Sequence, residues 1–239
     1  MSIVASAKTD LAAALRLAAH FGFNEGICNH FSFELDDRTF LLNPHPIHWS
    51  KIQADDILEI DLANPDSEAE LTALNIHGAI HRDVEDARCV LHTHMPYATA
   101  ITCLQDQRLR YIHQNSLKFW DDVAYDDSYN GLADTLDEGA RIASCISGKR
   151  VLFLANHGVI VIGDSIADAF DRLYYLERAC EVQVLAMSTG APLNEIGDNL
   201  AAKTKHEFDT KGSYADAHFE ALKALVWLLI LYVGTTPLS

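Results

Sequence analysis

The stretch "CVLHTHMPYATA", Cys89–Ala100, closes an apolar run with two histidines one residue apart and then turns at a proline. The run is flanked by the polar "RDVED" and by Pro96, so "ARCVLHTH" reads as a buried β-strand. Side chains alternate along a strand, which puts His92 and His94 on the same face. Pro96 suits the first turn of the helix that follows, "PYATAITCL", where a missing N–H costs nothing. Two imidazoles at the end of a strand can bind one metal ion, with a third ligand from elsewhere in the chain. The best candidate is His157, in the tight "NHGV" turn between the strands "RVLFLAN" and "VIVIG", where Gly158 is expected to let the backbone bend. Three neutral imidazoles suit zinc, and also iron, nickel, cobalt or manganese. Three protein ligands leave coordination positions open, as in a catalytic rather than a structural metal site.

Outward from this stretch, strands and helices alternate, but some short strands follow one another directly. Residues 7–21 read as a helix that Thr9 or Asp10 can cap, with Leu11, Leu15 and Ala18 on one face. "HFSFEL", "TFLLN" and "ILEIDL" alternate like strands, and residues 68–82 read as a second helix. "DSIADAFDRLYYLERACEVQVLAM" is the clearest helix. It opens on the capping-type pair Ser165 and Asp168 and repeats Ile166, Phe170, Leu173, Leu176, Cys180, Val184 and Met187 at helical spacing. This pattern predicts one α/β domain over residues 1–239, with helices packed on a mixed or mainly antiparallel sheet and a C-terminal helix from about residue 213. The apolar run "ALVWLLILYVG" is about half the length a membrane span needs and reads as a buried or subunit-interface helix.

Composition narrows the function classes. Of 239 residues, 49% are hydrophobic and 22% charged, which is globular usage. The formal net charge of -16 leaves no basic footprint for nucleic acid. Five cysteines without a CxxC pair fit a reducing, cytoplasmic compartment. The N-terminus carries no secretory pattern, so neither membrane nor nucleic acid is expected as a partner.

The remaining polar groups divide by context. His45 and His48 lie in a loop and read as surface or packing groups. His77 and His81 share a helix face at i, i+4, and His77 reads as a structural group close behind the metal. Asp121, Asp122, Asp126 and Asp127 read as a solvated loop with no cation-loop spacing. Glu25 in "NEGICNH" is a candidate proton carrier. Asn29 can position an anionic group through its amide, or cap a local turn.

The blocks "EGICNHFSFEL", "CVLHTHMPYATAIT", "LANHGVIVIG" and "LYYLERACEVQVLA", in this order, resemble the class II aldolase/adducin family over roughly residues 8–220, and most closely its adducin-like bacterial branch. The resemblance implies a three-layer α/β/α single domain with a mainly antiparallel central sheet. It also implies a homotetramer with active sites at subunit interfaces. His92, His94 and His157 match the family's metal histidines, with zinc as the usual ion. His113 in "YIHQN" falls where the family places substrate-facing residues, and an imidazole titrates near neutral pH. Tyr214 matches, weakly, a C-terminal tyrosine that reaches a neighbour's site.

Departures from the family pattern are informative. The carboxylate that the sugar-phosphate aldolases set ahead of the first metal histidine falls here at Ala73, which can neither ligate nor transfer a proton. The phosphate-binding segments are altered as well. Cys28 stands for the glycine before Asn29, "NPHP" (Asn43 to Pro46) for a donor-rich turn, and Leu71 and Thr72 for paired serines. A sugar-phosphate substrate is thereby disfavoured. The chain reads as a metal-dependent lyase, aldolase- or decarboxylase-like. Its substrate would be a small hydroxy or keto carbonyl or carboxylate compound, cleaved through a metal-stabilised enolate. The alternative is a non-catalytic adducin-like binding or assembly domain that keeps the fold.

Overall fold

The computed structural model describes residues 2–64, 69–210 and 214–233, with side chains up to Leu225 in the last helix. Seven strands form one sheet: β1 (His30–Asp36), β2 (Thr39–Leu42), β3 (Leu58–Asp61), β4 (Cys89–Thr93), β5 (Val123–Asp126), β6 (Val151–Leu154) and β7 (Gly158–Gly163). Their order is β3-β2-β1-β4-β7-β6-β5, and every neighbouring pair is antiparallel except the parallel β5–β6. The helices are α1 (Ile3–Phe21), α2 (Leu71–Asp83), α3 (Pro96–Thr102), α4 (Leu136–Cys145), α5 (Ile166–Met187), α6 (Asp198–Thr210) and α7 (Ala215–Val233). The side chains of residues 226–233, most of the apolar C-terminal run, lie outside the described residues.

The two-residue period of β7 sorts the layers. Val159 and Val161 pack with Leu11 and Leu15 of α1, Ala98 and Ile101 of α3, and Phe170 and Leu173 of α5. Ile160 and Ile162 face the other way, into Ile76 and Ile80 of α2 and Ile142 of α4. Each face of the sheet thus buries its own apolar set, which gives three α/β/α layers. Burial of roughly 25 cal/mol per Å2 of apolar surface on both faces drives the assembly.

The element ends differ from the sequence expectation in instructive ways. Helix α1 begins at Ile3, because the Ser2 hydroxyl accepts the Ala5 N–H and caps it ahead of Thr9 and Asp10. Strand β5 lies where a solvated acidic loop was expected. Asp126 is buried in that strand against Arg141 of α4 at 2.7 Å, and Asp122 pairs with Arg172 of α5 at 3.3 Å. Charge pairing lets this acidic segment form a sheet edge.

Helix α3 opens at Pro96, as its N1 position predicts, but its free N–H groups need an acceptor. Glu177 of α5 supplies one, accepting the Tyr97 and Ala98 N–H groups at 2.8 and 2.9 Å. Burial pushes the Glu177 carboxyl up to about 7 despite those two donors. This contact ties the segment that follows His94 to the longest helix of the fold.

The "NHGV" turn is built otherwise than expected. The left-handed residue is Asn156, at φ 56°, and its N–H donates to the Thr102 carbonyl at 2.9 Å. Gly158 is needed for closeness instead: a Cβ there would stand 2.4 Å from the Thr93 carbonyl oxygen and 2.8 Å from the His94 ring. Gly158→Ala is expected to destabilise the fold by about 2 kcal/mol, because backbone must move to admit the methyl. Chemical denaturation measures this, and an unchanged midpoint would show that the β4–β7 approach yields freely.

Candidate metal centre

Strand β4 delivers His92, and His94 follows one residue beyond the strand's end. The turn between β6 and β7 delivers His157. The three rings stand 4.8 to 5.1 Å apart between centroids, and their ligand nitrogens all lie within 4.8 Å of one another. No other cluster of three or more potential metal ligands occurs among the described residues.

Hydrogen bonds fix which nitrogen His92 and His94 offer. His92 Nδ1–H donates to the Val159 carbonyl at 3.0 Å, which leaves Nε2 as the lone pair. His94 Nδ1–H donates to the Glu25 carboxylate, and its Nε2 is buried without a partner. Histidine ligands are usually held in this way, by a carbonyl or a carboxylate at the far nitrogen. Burial, and then the neighbouring imidazoles, push His92 well below its ordinary value and His157 down to about 4. Both rings are therefore neutral at neutral pH, the form that ligates a cation. The donor set fits a divalent transition-metal ion, and His94 Nε2 is the buried polar atom that such an ion would satisfy.

These rings lie in a cavity of roughly 610 Å3 that also takes in Glu25, Asn29, His30, Glu70 and Ala73. Asn29, at φ 76°, accepts the Glu25 and His94 N–H groups on its Oδ1, so it both caps the local turn and ties that loop to the metal histidines. Its Nδ2 is buried and unpartnered, free for a ligand. His45 also borders this cavity, while His48 caps a short turn by accepting the Ser50 N–H.

His30 and Glu70 are the site residues that the sequence reading passed over. His30 faces His92 across the β1–β4 pair and stacks on it at 5.5 Å. Glu70 is the N-cap of α2. Its carboxylate accepts from Ala73 N–H at 2.8 Å and Thr72 Oγ1–H at 2.5 Å, and it stands 3.3 Å from His30 Nε2. Burial alone would raise its pKa, but the hydrogen bonds from His30, Thr72 and Ala73 outweigh that and hold it far below the carboxylate range. Glu70 is thus a permanent anion one turn ahead of the alanine. An N-cap glutamate before an apolar helix was the available signal, but the same pattern marks ordinary helix starts.

Behind His92 the polar network continues. His81 Nδ1–H donates to the Ala87 carbonyl at 2.8 Å, so its Nε2 accepts from the Ser32 hydroxyl at 2.7 Å. Ser32 Oγ must then accept from His77 Nδ1–H, at 2.5 Å. The tautomers follow from the single carbonyl at the end of the chain. His77 is accordingly structural, behind the site.

His113 and Tyr214 do not border the trihistidine cavity of their own chain. His113 starts a short helical turn at Gln114–Phe119. Tyr214 is 79% exposed and lines a separate cavity with Lys118, Asp171 and His218.

This fold and this histidine cluster coincide with a family match. The chain belongs to the class II aldolase and adducin family, whose Class II Aldolase and Adducin N-terminal domain profile covers residues 9–184. An aldolase class 2 protein of Pseudomonas aeruginosa, so named provisionally, is 36% identical over 201 residues, covering 82% of this chain and 77% of that protein. Decarboxylase NovR of Streptomyces niveus is 30% identical over 224 residues, covering 88% and 82%. The crystal structure of an aldolase II superfamily protein from Pseudomonas syringae superimposes with a TM-score of 0.86 at 30% identity, covering 95% and 94%. No helix among the described residues is long and apolar enough to cross a membrane.

The buried histidines set an acid limit on stability. His81 titrates near 4 in the folded chain because burial disfavours its cation, against about 6.5 unfolded. The unfolded state binds the proton first, so stability is full above about pH 6.5 and falls as the pH drops toward 4. The loss from His81 alone is about 3 kcal/mol. Denaturation midpoints at pH 7 and pH 4.5, compared with those of His81→Gln, measure it. An equal acid loss in the variant would remove His81 as the cause.

Proposed function

We propose that the chain is a metal-dependent carbon–carbon lyase, of aldehyde-lyase or carboxy-lyase type, acting on a small hydroxy or oxo compound. The observation that carries this reading is the trihistidine cluster, whose buried His94 Nε2 has no partner within the protein. His92, His94 and His157 would hold one divalent transition-metal ion, zinc before manganese, iron, nickel or cobalt. When bound, the ion supplies Lewis acidity toward a carbonyl or hydroxyl oxygen, a need that aldol cleavage and decarboxylation share. The decarboxylase name of the Streptomyces niveus relative supports the carboxy-lyase side.

The chain's own groups have separable tasks in this reading. Glu25 holds the His94 tautomer and, at the cavity edge, is also placed to take up or return a proton. Asn29 Nδ2 donates to a substrate oxygen. His113 and Tyr214 reach the cavity only from a neighbouring subunit, which the proposed cytoplasmic homotetramer would supply. The whole chain then works as one domain, with α7 as part of it. Ala73 favours a second reading, a non-catalytic binding or assembly domain that retains the fold.

Protein purified without a histidine tag is expected to carry about one transition-metal ion per chain by mass spectrometry. His94→Ala is expected to lose most of that ion while remaining a folded oligomer. Metal-free protein that takes up none of the candidate ions would overturn the lyase reading in favour of the assembly domain. Light scattering is expected to give four times the 26.5 kDa chain mass. A monomer would remove His113 and Tyr214 from the site.

A further inference from the structure

The cavity around the three histidines has an unusual charge balance. It holds the carboxylates of Glu25 and Glu70, and no lysine or arginine lines it among the described residues. Arg141 of α4, on the His157 side, is already held by Glu138 at 2.7 Å and by Asp126 at 2.7 Å. Glu70, fixed by three donors, cannot be discharged near neutral pH.

The free side-chain donors of the lining, ring nitrogens apart, are uncharged as well. Asn43 spends its amide on the Phe31 N–H and the Asn29 carbonyl, and Pro44 and Pro46 beside it have no N–H. Asn29 Nδ2 and Thr99 Oγ1 are the buried lining atoms there that are left without partners, apart from ring nitrogens. A phosphate dianion asks for several charge-assisted donors and loses its hydration on entry. Here it would meet only uncharged donors, Asn29 Nδ2 and Thr99 Oγ1 inside and the Tyr129 hydroxyl and Asn156 amide at the exposed lining, beside the carboxylates of Glu25 and Glu70. By contrast, the cavity mouth is apolar: Ile27, Tyr129 and Leu132 are exposed around it, with Ile76 and Ala133 buried deeper.

We propose that this cavity takes an unphosphorylated hydroxy or oxo acid with an apolar body. Its oxygens lie toward the trihistidine end and Asn29, and its hydrocarbon or aromatic portion lies against Ile27, Tyr129 and Leu132. The inference rests on the lyase reading above and narrows its substrate class. Two carboxylates against one divalent cation leave the loaded site near neutral, which admits a single carboxylate but not an added phosphate. An apolar body gains from burial at the mouth, where a phosphate gains nothing.

Calorimetric titration of the zinc-loaded chain, with zinc content measured in the same sample, tests this with two pairs of probes. Phenylpyruvate is expected to bind at least about tenfold more tightly than pyruvate, the return on burying a ring against the apolar mouth. Phosphoglycolate is expected to bind no more tightly than glycolate. Leu132→Lys, at a position 74% exposed, adds the missing cation without touching the core. It is expected to raise the affinity for phosphoglycolate relative to that for glycolate by about fivefold, because the more highly charged anion gains more from the added cation. Phosphoglycolate binding tenfold tighter than glycolate to the unaltered chain would overturn this inference and leave the lyase reading standing. Equal binding of phenylpyruvate and pyruvate would also overturn it. Failure of all four probes to bind a chain shown to hold zinc would overturn both.

Discussion

Everything at this site depends on one close approach. The backbone at Gly158 runs so near Thr93 and His94 that no Cβ fits between them. The β4–β7 pairing sets the register, with Thr93 opposite Val159 and His92 opposite Ile160. With the register fixed, the turn that carries His157 must lie beside the end of β4, and the three rings have no choice but to converge. The same pairing makes Val159 the residue whose carbonyl holds His92 in its tautomer. Sheet geometry therefore prepares the donor set before any ligand arrives, and backbone hydrogen bonding carries the cost of gathering three imidazoles.

Gathering neutral rings in a buried place is itself an electrostatic problem, and the chain solves it by exclusion. Burial and mutual proximity keep His92 and His157 uncharged at neutral pH. Behind them, the Ala87 carbonyl, Ser32 and two further histidines form a network in which every proton position follows from the last acceptor. Such a network specifies one packing of α2 against the sheet, because a slipped helix would leave several buried polar groups unpaired.

Much of this was legible in the sequence. The apolar run and Pro96 dictate strand and helix start, and the two-residue spacing of His92 and His94 dictates a pair of neighbouring imidazoles; the rings do lie together, although His94 falls just past the strand's end. His157 was readable because two strong β patterns bracket a four-residue turn. What escaped has physical reasons. Strand β5 is short and acidic, and its place in the sheet depends on Arg141 and Arg172, which come from elements far along the chain. His30 acquires meaning only through the β1–β4 register, and Glu70 only through His30. Gly158 was recognised as necessary, but for the bend and not for the contact, since closeness between distant segments leaves no local trace. His113 and Tyr214 rest on resemblance alone, and within one chain their surroundings give them no access to the cavity.

The position of Glu70 bears on how a proton could be handled here. A carboxylate that moves protons must be able to hold one, and its pKa must lie within reach of the working pH. Glu70 has been placed to do the opposite: a helix N-terminus, a hydroxyl and an imidazole all favour its anion. It therefore cannot stand in for a carboxylate at position 73, although it enters the same cavity. Its work is to fix His30 against His92 and to set a permanent negative charge beside the histidines. In the proposed lyase, proton transfer would then fall to Glu25, whose carboxylate is solvent-accessible, or to groups lent by a neighbouring subunit. The proposed lyase would thus separate the charge that shapes the cavity from the group that carries the proton. The three histidines keep their geometry with an alanine at position 73, because the β4–β7 register and the contacts of Val159, Asn29 and Glu25 hold them.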